Sequence, residues 1–100
     1  MKRSYVYILT NPRKTVLYTG VTTNLGKQVF EHKNRVTEGL TRQYHCHELV
    51  YYEITDDLET AKERQKEIKA ECRLIKEKRI ETFNPGWEDL SPSLLALKRK

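Results

Sequence analysis

Tyr5-Val6-Tyr7-Ile8-Leu9-Thr10 and Thr15-Val16-Leu17-Tyr18-Thr19-Gly20-Val21 are two runs rich in aromatic and β-branched residues, separated by Asn11-Pro12-Arg13-Lys14. Runs of that composition read as strands. Pro presets φ and Asn tolerates tight backbone geometry, so the four residues between them read as a turn. The two strands therefore predict an antiparallel hairpin. Side chains alternate across a strand, which lets Tyr7 and Tyr18 share one face of it.

Working outward, Thr22-Thr23-Asn24 offers side-chain oxygens for a helix N-cap. The stretch from Leu25 to about Arg35 reads as a helix, with Leu25, Val29 and His32 at helical spacing and Gln28 on the same face. Residues 39–45 read as a polar connection. Leu49-Val50-Tyr51-Tyr52-Glu53-Ile54 reads as a third strand. Thr55-Asp56-Asp57 then caps a long helix expected from Leu58 to about Ile80, with Ala61, Ile68, Cys72 and Ile75 as its apolar stripe. Asn84-Pro85-Gly86 is a stop signal, and Trp87 and Leu90 are expected to fold back onto the core.

The order β-β-α-β-α predicts a small α+β domain, a three-stranded sheet flanked by helices. Its concave face lies where the hairpin meets the first helix. One domain is expected over residues 1–90, followed by a basic C-terminal tail or short helix at 91–100. The chain has 100 residues, a length suited to one modest core.

Apolar residues make up 37% and charged residues 33%, which fits a folded, polar domain. Lys and Arg total 19 against 14 Asp and Glu, a formal charge of +5 that favours a polyanionic partner such as nucleic acid. Cys46 and Cys72 form no C-x-x-C pair and read as reduced thiols. No segment has the ~18 apolar residues of a membrane span, and no apolar signal region follows Met1, so a cytoplasmic protein is expected. His45 and His47 would share a face of a strand, but no further ligand series follows. They read as a loop entering the third strand, not as a metal site.

Five motifs in order carry a resemblance. Tyr5-Val6-Tyr7 and Tyr18-Thr19-Gly20 form a pair of triplets, with the final Tyr7 and the leading Tyr18 retained. Glu31-His32-Lys33 ends the first helix, Leu49-Val50-Tyr51-Tyr52-Glu53 forms the third strand, and Asn84-Pro85-Gly86-Trp87-Glu88-Asp89-Leu90 follows the last helix. Over Ser4 to Leu90 the chain resembles the GIY-YIG nucleases, in particular their short bacterial single-domain members. The resemblance implies a site for phosphodiester cleavage that needs a positioned water, a base and cationic stabilisation of the phosphorane. By it, Tyr7 and Tyr18 line the site and His32 is a proton shuttle or phosphate contact. It further implies that a helix arginine contacts the phosphate and a helix carboxylate holds magnesium or another divalent cation.

The two charged positions depart from that pattern. The arginine's place is Gln28. Lys27 is adjacent but lies about 100° around a helix and lacks the planar guanidinium fork. In the long helix Ala61 leads to Arg64-Gln65, so an amide replaces the metal-binding carboxylate. Glu63 and Glu67 lie about 200° away, and the residues sharing the face of Gln65 are Ala61, Lys62, Ile68 and Lys69. No metal ligand is therefore assigned. A neutral amide suits magnesium poorly, since the hard ion prefers charged oxygen.

Arg13, Lys14, Lys27, Lys33 and Arg35, together with Lys2, Arg3 and Arg42, are expected to form a phosphate-binding rim. The expectation is a DNA-binding domain on a nuclease scaffold, its metal-dependent cleavage absent or strongly impaired. An active structure-selective endonuclease with atypical ligands and a protein-interaction module without nucleic acid are the alternatives.

Overall fold

A computed structural model describes residues 3–33 and 45–92, with the side chains of residues 31–33 outside that description. The elements run β1 (Ser4–Thr10), β2 (Leu17–Thr22), α1 (Leu25–Lys33), β3 (Glu48–Thr55), α2 (Leu58–Ala70) and α3 (Arg73–Phe83). The strands form one antiparallel sheet in the order β2-β1-β3. The expected three-stranded α+β architecture is thus present. The hairpin turn is fastened by Asn11, whose Oδ1 accepts from Thr15 N at 2.8 Å and Val16 N at 3.0 Å.

The central strand β1 is buried on both faces because helices cover both. Val6 and Ile8 pack with Val50, Ala61, Ile68 and Ile80 on the α2–α3 side. Tyr7 and Leu9 pack with Leu25, Val29, Cys46 and Leu49 on the α1 side. Strict alternation along Val6–Leu9 sends these residues to opposite cores.

The long helix expected from Leu58 to Ile80 is broken. Glu71 adopts φ −68°, ψ 145°, and α3 starts afresh at Arg73. An unbroken helix of that span would run about 34 Å, longer than the ~27 Å of the eight-residue β3. The elbow instead folds α3 back along the sheet, where Ile80 is buried and Arg73 donates to the carbonyls of Lys14 and Thr15, both at 2.7 Å. Cys72 and Ile75, expected in the apolar stripe, are exposed as a result. The buried positions of the two helices are Ala61, Ile68 and Ile80.

The segment after α3 seals the β3 edge. The pairing of β1 with β3 slips between Ile8↔Tyr51 and Leu9↔Leu49, leaving Val50 as a bulge. The freed Val50 carbonyl accepts from Asn84 Nδ2 at 3.2 Å. Leu90 N donates to the Leu49 carbonyl at 2.7 Å, and Asp89 Oδ1 accepts from Leu49 N at 3.1 Å. A strand edge with unpaired groups invites foreign pairing, and these bonds cover part of it. Trp87 packs on one core and Leu90 on the other, as expected from their position after the stop signal.

Candidate functional site

Tyr7 and Tyr18 lie on the same face of the hairpin, with ring centroids 6.3 Å apart and planes tilted by 48°. The register Tyr7↔Gly20 and Leu9↔Tyr18 produces this. Gly20 is required by the Tyr7 ring. A Cβ at position 20 would collide with the Tyr7 phenol and stand 3.0 Å from Tyr18 Cε2. Tyr7 is only 1% exposed, whereas Tyr18 is half-buried and closer to the surface.

The N-terminus of α1 opens onto a cavity of about 550 Å³ lined by Arg3, Tyr5, Thr22, Thr23, Asn24, Lys27 and Gln28, with neither Tyr7 nor Tyr18 in its walls. Its walls follow from the register, because Tyr5↔Thr22 sets the start of β1 beside the exit of β2. Asn24 caps the helix, its Oδ1 accepting from Lys27 N at 3.1 Å. Thr22 Oγ1 accepts from Asn24 N at 3.0 Å, which tightens the entry turn. Lys27 lines the same cavity as Gln28 despite its different helical angle. The cavity therefore retains two cations, Arg3 and Lys27, around a neutral Gln28. Arg3 belongs to the expected basic rim, whereas Tyr5 and the Thr22–Asn24 turn were not expected as site residues. The pairing of β1 with β2 is the signal that places them.

Gln65 is half-buried, and its Nε2 donates to the Thr19 carbonyl at 3.2 Å, between Tyr18 and Gly20. Position 65 is thus anchored to the second tyrosine triplet by an amide donor, a bond that an ionised carboxylate cannot make. Its neighbour Arg64 aims the helix. Arg64 Nε and Nη2 bind the two carboxylate oxygens of Glu53 at 2.9 and 2.8 Å, and Nη1 binds Glu67 at 2.6 Å. Arg79 binds both oxygens of Glu71 and reaches Glu53 and Tyr51 Oη at 3.4 Å. Tyr51 Oη also hydrogen-bonds Glu53. The Arg64 hydrogen bonds hold the Glu53 carboxyl below its ordinary range, and burial pushes the Tyr51 phenol up.

Glu67 is paired with Arg64, and Glu63 is exposed. Among the described residues, no three His, Cys, Asp or Glu side chains converge on a point where an ion could bind. Magnesium asks for charged oxygen, and position 65 offers only the oxygen of a neutral amide. These residues do not fit the ion.

Arg13 and Lys14 lie at the hairpin turn, and Lys14 Nζ is paired with Glu48 at 3.3 Å. Lys27 lies at the other end of the sheet, so the two groups are separated by the length of β1, about 20 Å. His32 and Lys33 belong to the last turn of α1, with side chains outside the described set, and Arg35 lies outside the described residues. His45 occupies a turn with φ 58°, and Cys46 is buried, which pushes its thiol pKa up.

The GIY-YIG catalytic domain family matches residues 3–84. A UPF0213 protein of Natronomonas pharaonis is 40% identical over 76 residues, covering 76% of this chain and 88% of that relative. No solved structure matches the chain.

Proposed function

This chain belongs to the GIY-YIG family, and from that premise we propose that it binds DNA through the α1 cavity while metal-dependent cleavage is absent or strongly impaired. The hydrogen bond from Gln65 Nε2 to the Thr19 carbonyl carries the proposal. Position 65 acts as an amide donor to the backbone of the tyrosine strand, in the place where a metal-binding carboxylate would be needed. Gln28 likewise removes a guanidinium from the phosphate side. Arg3 and Lys27 remain at the mouth of the cavity, and among the described residues neither has a carboxylate partner. Cations without internal partners can neutralise phosphates; an amide in place of the ligand cannot assemble a magnesium centre. The scaffold then retains affinity and loses transition-state stabilisation.

The test is a cleavage assay on supercoiled plasmid and on branched DNA in magnesium and in manganese, beside gel shifts over a salt series. The expected outcome is salt-dependent binding without nicking. Nicking by the pure protein that disappears in Tyr18→Phe would overturn the loss of cleavage. Absence of any gel shift at low salt would overturn DNA binding and favour a protein-interaction role.

A further inference from the structure

A second cavity, of about 530 Å³, lies on the α3 side away from the tyrosine triplets, lined by Tyr51, Ile75, Lys78, Arg79, Thr82 and Phe83. Its volume falls within the range of small-ligand sites. Phe83 is held by edge-on contacts to Tyr51 at 5.1 Å and Tyr52 at 5.3 Å, yet is 45% exposed. Ile75, about two turns earlier in α3, is 50% exposed. The result is a rigid, solvent-facing apolar wall.

The polar groups around it differ in availability. Arg79 makes two hydrogen bonds to Glu71 and reaches Tyr51 and Glu53, so its donors are engaged. Lys78 has no carboxylate partner among the described residues. Thr82 Oγ1 donates back to the Lys78 carbonyl at 2.9 Å and keeps its acceptor capacity. One free ammonium beside a fixed aromatic ring suits a ligand with a flat face and an attached anion.

We propose that this cavity takes an unstacked nucleotide of a single-stranded nucleic acid, its base against Phe83 and Ile75 and its phosphate on Lys78. Stacking of bases on aromatic side chains combined with a neighbouring cation is the general chemistry of single-strand binding. Duplex DNA does not supply such a ligand, because its bases are stacked inside the helix. The ligand class rests on the nucleic-acid reading above, but the surface is separate from the α1 cavity.

The experiment measures fluorescence anisotropy of a labelled oligothymidylate and of a labelled duplex with the full chain. The variants are Phe83→Ala, Lys78→Glu, Lys27→Glu and, as a control on exposed α2, Lys62→Glu. The expected result is a loss of oligothymidylate affinity between about 5- and 150-fold in Phe83→Ala. Lys78→Glu weakens it too, while duplex binding and the Lys62→Glu control stay unchanged. If Phe83→Ala fails to fold, Lys78→Glu decides. A 4-thiothymidine oligomer should also photocrosslink to the peptide carrying Phe83. Unchanged oligothymidylate binding in the folded α3 variants overturns this proposal, and if Lys27→Glu weakens duplex binding the α1 reading survives. Equal losses for single strand and duplex also overturn it, by reducing the effect to general charge. Oligothymidylate binding absent while the duplex binds overturns it alone and leaves a protein partner for the α3 face; failure of both DNAs overturns both readings.

Discussion

On the α2–α3 side of the sheet, Glu53, Arg64, Glu71 and Arg79 direct their hydrogen bonds to one another. Around the α1 N-terminus, Arg3 and Lys27 instead face an open cavity beside the neutral Gln28. Both regions are rich in charged sequence, but the first has closed its charges into an elbow and the second has left its cations on an open cavity. The difference lies in reach. Glu53 on β3 stands within hydrogen-bond distance of both helices, whereas the α1 cavity has no carboxylate among its lining residues. A paired charge orients structure, and an unpaired one is available to a phosphate. Gln65 is next to Arg64 in sequence and is bound to the tyrosine strand.

The sharpest test of that contrast is to return charge to the open side. Gln28→Arg combined with Gln65→Glu should raise magnesium-dependent nicking by at least about 10²–10³-fold over the unaltered chain, the scale of one transition-state donor. No gain over an inactive parent would mean that more than these two positions have been lost. Gly20→Ala should follow in size. Its methyl displaces the Tyr7 ring and should lower stability by about 1–3 kcal/mol, read by chemical denaturation. A melting curve equal to that of the parent would show that the ring can move aside.

On the closed side, Glu53→Gln should cost about 1–2 kcal/mol, because hydrogen bonds to charged groups exceed neutral ones. Its pH dependence has a definite sign. The folded pKa of Glu53 lies below the ordinary 4.5, chiefly through the Arg64 hydrogen bonds. Its stabilisation is therefore complete above that value and is lost as pH falls through the lower folded value. Asp57, which accepts from Thr60 N at the α2 N-cap, is lowered for the same kind of reason and adds to the acid sensitivity. Thermal melts below pH 4.5 should fall more steeply for the parent than for Glu53→Gln. On the open side, Lys27→Glu should reduce the salt slope of duplex binding by about one unit. The smallest effect concerns the thiols: Cys72 is exposed and Cys46 is buried with a raised pKa, so a thiol reagent should modify Cys72 far faster.

Much of the fold was legible because strand composition and turn chemistry are local. The hairpin, the third strand and the return of Trp87 and Leu90 all followed from short stretches. The break at Glu71 was not legible. No Gly or Pro marks it, and the residues that fold α3 back, Arg73 on the hairpin carbonyls and Arg79 on Glu71, act across space. The apolar pattern of Ala61, Ile68, Cys72 and Ile75 reads as one stripe until the elbow turns its second half outward. Within the candidate site, the meeting of Tyr7 with Tyr18 was readable from alternation. The place of Lys27 beside Gln28 in the cavity lining was not, since the wall is completed by Arg3, Tyr5 and Thr22 from the paired strands.

By itself, the sequence determined the family, the tyrosine pair and the two amides at positions 28 and 65, because residue identity sets which groups can carry charge. Tertiary structure decided which of the remaining charges are free. Pairing depends on distances between β3, α2 and α3 that no local pattern contains, and those distances separate the cations that brace the fold from the cations that line an open cavity.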